Sequence, residues 1–127
     1  MQISTKRTDK ASLAEFGSEV VSLLYAGDIP TLVSRYGYAL ALGRDSVLAV
    51  RQDLSQCLSE IHANGLVLPT LPSPPAVKYF QTNDAGLFAA IECLVSTDSG
   101  ANLLVELVVS SRNSELHITL EQLSVAA

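Results

Sequence analysis

Four side chains late in this 127-residue chain have the types and spacing for acid–base work: Glu92, Glu106, His117 and Thr119. Two carboxylates held close together repel, so one of them keeps its proton to higher pH unless it is solvated or paired. An imidazole beside them titrates near neutrality, and a hydroxyl can orient either partner. The four matter together only if the chain brings them onto one surface.

The elements that carry them show themselves by parity. Across residues 86–96 every odd position is apolar (Leu87, Ala89, Ile91, Cys93, Val95), and Leu103, Val105, Leu107 and Val109 continue the rule. The last run uses even numbers: Leu116, Ile118 and Leu120. Period two is the mark of strands with one face on a core. Turn segments at 97–101 and 111–114 separate the runs, so a meander of antiparallel strands is expected. A loop symmetric about Ser99 sets Ile91 opposite Leu107 and Glu92 opposite Glu106. A turn centred on Arg112 and Asn113 sets Leu107 opposite Ile118, and His117 opposite Val108. His117 then reaches Glu106 diagonally, and Thr119 lies beyond Glu106 on the third strand. A slip of one residue in either hairpin would break the apolar match, whereas a slip of two would not. The complementary face carries Phe88, Glu92, Leu94, Leu104, Glu106, Val108, His117 and Thr119, with Ala90, Glu115 and Glu121. It is too apolar to suit water, and these eight residues form the candidate binding patch.

The first half of the chain has the helical period. Residues 11–26 are apolar at Leu13, Phe16, Val20, Leu23 and Leu24, Ser12 and Glu15 have capping-box spacing, and Gly27 follows. Asp28 caps a short second helix with Pro30 in its first turn and Ile29, Leu32, Val33 and Tyr36 on one side. Residues 38–42 alternate with alanines and read equally as a short strand or a helical turn. A third helix from about 46 to 63 follows from Val47, Val50, Leu54, Cys57, Leu58 and Ile61, closed by Asn64-Gly65. Pro69, Pro72, Pro74 and Pro75 make 66–75 a stiff extended connector. Its two P-x-x-P spacings have no basic neighbour except Lys78, which favours a connector over a recognition motif. Residues 76–82 supply a first, weaker strand. The fold class is therefore α+β. Three N-terminal helices pack on one face of a four-stranded antiparallel meander, in a single domain spanning 1–127. The helical half is 11–65, the connector 66–75 and the sheet 76–125.

Composition narrows the function classes. Hydrophobic residues make up 48% of the chain, enough for a normal core. Residues 1–10 lack the apolar segment of a secretory signal, and no stretch approaches the length of a membrane span. Cys57 and Cys93 fall on apolar stripes, as buried thiols of a reducing compartment do, so a cytoplasmic location is expected. With His62 and His117 they form no recognised ligand spacing, and no phosphate or dinucleotide loop occurs; neither metal nor cofactor is expected. Up to Arg51 there are six basic residues against five acidic, but from Gln52 onward two against eight. An acidic sheet half argues against nucleic acid and suits a basic partner. At Gly43-Arg44-Asp45-Ser46, a helix cap by Asp45 or Ser46 outweighs an anion site, because Asp45 would oppose the anion.

Helices first, then a proline-rich joint and a curved sheet, resembles the α+β cone of nuclear transport factor 2-like and cystatin-like proteins. The residues that carry the likeness are Tyr25-Ala26-Gly27-Asp28 and the short helix Pro30 to Tyr36. The chain also resembles small uncharacterised bacterial domains through Leu103-Leu104-Val105-Glu106-Leu107 and Leu120-Glu121-Gln122-Leu123-Ser124-Val125. The cone resemblance implies a pocket between helices and sheet. Its catalytic members keep an Asp or His there, whereas the helix-facing strand positions here are apolar, so no catalytic residue is carried over. The expected function is a non-enzymatic interaction module that forms a homodimer through its sheet face. One alternative is a cone-type protein or enzyme holding a small apolar ligand. The other is an acidic immunity or inhibitor protein that covers a basic protein.

Overall fold

A computed structural model describes residues 1–126. Three α-helices come first: α1 (Lys10–Ala26), α2 (Ile29–Tyr36) and α3 (Ser46–Glu60). The strands are β1 (Gln2–Ile3), β2 (Ala76–Tyr79), β3 (Leu87–Ser96), β4 (Asn102–Arg112) and β5 (Glu115–Val125). They form one antiparallel sheet in the order β1-β5-β4-β3-β2. The sheet thus has five strands rather than four. The extra one, β1, places Ile3 opposite Leu116 and Gln2 opposite His117. Two residues are too few to show a period, and their pairing is made entirely by a partner more than a hundred positions away.

Local chemistry explains the helix ends. Asp9, not Ser12, caps α1: its carboxylate accepts the Ser12 N–H at 3.2 Å and the Ser12 hydroxyl at 2.6 Å. Asp28 and Asp45 cap α2 and α3 in the same way, accepting from the N–H groups of Thr31 and Leu48. Asp45 at Gly43-Arg44-Asp45-Ser46 is therefore a helix cap. Residues Ala39–Ala41 form a single 3-10 turn, resolving the two readings of 38–42. Leu13, Phe16, Val20 and Leu24 of α1, Leu32 and Tyr36 of α2, and Ala49, Val50 and Cys57 of α3 are buried.

All three helices pack on the odd face of the sheet. Ala89, Ile91, Cys93, Val95, Leu103, Val105, Leu107 and Val109 are each at most 2% exposed, and Ile118 and Leu120 are fully buried. Gly17 sets how closely α1 approaches. A Cβ there would lie 2.8 Å from Cys93 Sγ and 2.9 Å from Ile91 Cγ2, so only a glycine lets the helix lie this low on β3. Two polar clusters bolt the helices together. The Tyr36 hydroxyl and Arg35 both donate to Glu19, at 2.9 and 2.6 Å, tying α2 to α1. The Tyr38 hydroxyl and Arg44 both donate to Asp53 of α3, and Arg44 also reaches the carbonyls of Leu40 and Ala41. The Arg44 guanidinium holds the Asp53 carboxyl below its ordinary range, while burial pushes both tyrosine hydroxyls up.

Register departs from expectation in one hairpin. The β3–β4 pairing places Ile91 opposite Leu107 and Glu92 opposite Glu106, as the symmetric loop requires. The β4–β5 pairing instead sets Leu107 opposite Leu120, Val109 opposite Ile118 and Arg112 opposite Glu115. The turn is centred on Asn113 and Ser114, both with positive φ (52° and 66°), one residue along from the expected centre, which shifts the pairing by two. A two-residue loop with both central residues left-handed matches the twist of the flanking strands, and Asn tolerates that conformation well. The slip of two preserves every apolar match, so parity could not reveal it. A bulge then makes Glu121 the extra residue between Leu120 and Gln122. That bulge moves the buried positions of β5 from even to odd, from Leu120 to Leu123.

Candidate functional site

The helix-free face of the sheet carries the candidate patch, and its rows follow from the pairing. One row runs Gln122, Glu106, Glu92, Ala76 from β5 to β2, and the next runs Thr119, Val108, Ala90, Lys78. On the other side of the acidic row lie Ser124, Leu104 and Leu94. Leu94 is 44% exposed, while Leu104 and Val108 are half-buried by neighbouring side chains alone. The face therefore presents an acidic centre with apolar residues on both sides.

The two carboxylates do face each other, but they are not left to repel. Lys78 Nζ lies 2.5 Å from Glu92 Oε1, and this contact with the nearby charge of Glu106 keeps the ammonium protonated to higher pH than usual. Lys78 is the member of the site that sequence reasoning missed. Its parity with Ala76 was the available signal, but a four-residue strand with three exposed positions has too weak a pattern to show its face.

His117 does not join the acids. The β4–β5 register puts it opposite Ser110 rather than Val108, about 7 Å further along the strand. Its Nε2 lies 3.4 Å from Glu115 instead. Thr119 sits opposite Val108, and the neighbour of Glu106 on β5 is Gln122. The expected acid–base grouping is therefore split into a carboxylate pair with a lysine and a separate histidine at the strand end. Phe88 also leaves the middle of the face. It is the extra residue of a bulge between Leu87 and Ala89, and its ring packs edge-on against Tyr79 at 5.9 Å. The same bulge lifts Leu87 out of the core to 38% exposure.

Elsewhere the chain offers little reactive chemistry. Burial pushes the Cys93 thiol up to about 12 and raises Cys57 as well, so neither is a ready thiolate. Among the described residues no cluster of His, Cys, Asp or Glu has the geometry to hold a metal ion. No helix among them is long and apolar enough to cross a membrane.

A groove of about 330 Å³ opens where α1, the connector and the β3 edge meet, lined by Val21, Tyr25, Leu68, Pro72 and Leu94 among others. It lies at the margin of the helix–sheet layer, not within it. Tyr25 anchors one end, its hydroxyl accepting the Ser96 N–H at 2.9 Å. Comparison with protein-family models, with curated proteins and with solved structures finds no match to this chain.

Proposed function

We propose that this protein is a non-enzymatic interaction module that pairs with a second copy of itself through the helix-free sheet face. The observation that carries the reading is the contrast on that face: exposed Leu94 and half-buried Leu104, Ala90 and Val108, with no helix over them, surround a carboxylate pair that is only half neutralised by Lys78. Covering such apolar surface is favourable by about 25 cal/mol per Å² removed from water. A two-fold arrangement needs only one patch that complements itself. Glu106, flanked by Glu92 and Gln122, takes its partner from the second copy or from trapped water, since an unpaired buried charge is costly.

Light scattering coupled to gel filtration tests the idea. The expected result is a dimer at tens of micromolar, reduced to a monomer by Leu104→Glu without loss of helical signal. A monomer for the unmodified protein at that concentration would sink the proposal. If the monomer then binds a basic protein partner in a salt-sensitive way, the acidic face serves a charged partner instead.

A further inference from the structure

The β3 edge is interrupted at one residue, and the interruption faces the groove beside α1. Even-numbered residues of β3 direct their backbone groups toward β2: Phe88 accepts from the Phe80 N–H at 3.0 Å, and Ala90 and Glu92 lie opposite Lys78 and Ala76. Further along, the Ser96 carbonyl accepts from the Val67 N–H at 3.0 Å, and the Ser96 N–H is taken by Tyr25. Leu94 lies between these two segments, and neither its N–H nor its C=O has a hydrogen-bond partner among the described residues. The ladder stops because the next position along from Ala76 is filled by Pro75 and Pro74. Neither has an N–H to offer, and both carry the chain away from the edge.

The missing partner lies beside apolar walls. Val21 and Tyr25 of α1 stand on one side, Leu68 and Pro72 of the connector on the other, and no residue lining the groove is charged. In a chain with 17% charged residues, an uncharged groove selects for a neutral occupant. A concave, mainly apolar site of this size with a few backbone donors and acceptors is the usual form of a small-ligand pocket.

We propose that this groove binds a neutral, extended ligand with an apolar side chain flanked by two secondary amides, the N–H of one and the C=O of the other pairing with the C=O and N–H of Leu94. This goes beyond self-association: the groove is walled by α1 and the connector and shares only Leu94 with the helix-free face.

The test is a titration of the isotope-labelled protein with N-acetyl-leucine methylamide, followed by amide NMR. It is repeated on Leu104→Glu, so that loss of the dimer and loss of the groove are read separately. In both proteins the Leu94 amide resonance is expected to move in a saturable way at millimolar probe, with its hydrogen exchange slowed about tenfold. The methyl ester, whose carbonyl is a weaker acceptor for the Leu94 N–H, is expected to bind several-fold more weakly. Ser22→Trp, and independently Ser18→Phe, fill the groove from exposed helix positions and are expected to abolish the shift while keeping the helical spectrum. A capped Val-Leu-Val peptide separates two sources of the same chemistry: tighter binding than the single residue identifies a chain segment, and equal or weaker binding a free small molecule. An unmoved Leu94 resonance, or binding that survives both filling variants, overturns the proposal.

Discussion

The two faces of the sheet are built from the same three long strands, yet they follow different rules. On the helix side the positions from Ala89 to Val95, Leu103 to Val109 and Leu116 to Leu120 are apolar and sealed, and a glycine, Gly17, is needed to bring α1 down onto them. On the open side apolar and charged residues share the rows, and Glu92, Glu106 and Lys78 stand where a core would admit none of them. The inner face is shaped by close packing, which punishes any change of volume. The outer face has no helix over it and so accommodates charge beside apolar residues.

The largest expected effect comes from cutting the inner face. Leu107→Ala should lower unfolding free energy by about 2–5 kcal/mol, because the buried site cannot collapse around the lost atoms. Leu104→Ala, on the adjacent outer row, should cost about 1 kcal/mol or less. Urea titration of both at low protein concentration checks the contrast, and equal losses would break it.

Next in size is Gly17→Ala. An exposed helix position would gain up to about 1 kcal/mol from this change, but here the new methyl meets Cys93 Sγ and Ile91 Cγ2, so a loss of about 1–3 kcal/mol is expected. Adding Cys93→Ala should recover part of that loss, because the sulfur that the methyl meets is gone. A double-mutant cycle reads the coupling.

The polar bolts lie between the extremes. Removing the charge with Asp53→Asn should cost about 1–3 kcal/mol near neutral pH, since the amide keeps one acceptor oxygen where Tyr38 and Arg44 use two, and its NH2 faces their donors. The folded-state pKa of Asp53 is lowered, first by the Arg44 hydrogen bonds and then by Tyr38. Its contribution is therefore complete above the unfolded value of about 4 and is lost as pH falls through the folded value. Thermal melts from neutral pH to pH 2–3 should accordingly show a shallower acid limb in Asp53→Asn than in the parent.

The smallest effect on stability belongs to the open face. Lys78→Gln should leave unfolding free energy almost unchanged, because the Lys78 side chain is 66% exposed and the pair is screened by salt. Its consequence should appear in association, where two facing carboxylates lose the cation that Lys78 places beside them. A weaker dimer by light scattering, with unchanged melting of the monomer, is the expected result. A large loss of monomer stability would show that the outer face is structural after all.

Much of this was legible in the sequence, and the gaps have physical causes. Alternation over ten or eleven residues revealed β3, β4 and β5, and the 3.6-residue period marked the helices within a few residues, with Asp28 read as the cap of α2 but Ser12 read in place of Asp9 at the start of α1. Alternation could not separate registers two residues apart, because both pair apolar with apolar. That is why His117 was expected beside Glu106. The β5 bulge was visible only as a break in parity between Leu120 and Leu123. β1 left no trace, being two residues long and defined wholly by its partner.

By itself, then, the sequence determined the α+β class, the order of helices before strands, and the two faces of the sheet, because periodicity is a local property of side chains. Only the tertiary structure decided which groups meet: Lys78 with Glu92, His117 with Glu115, and Leu94 with an open groove. Those contacts depend on turn geometry, bulges and proline-terminated pairing, each of which shifts a side chain by several ångströms without disturbing the pattern that made the strands readable.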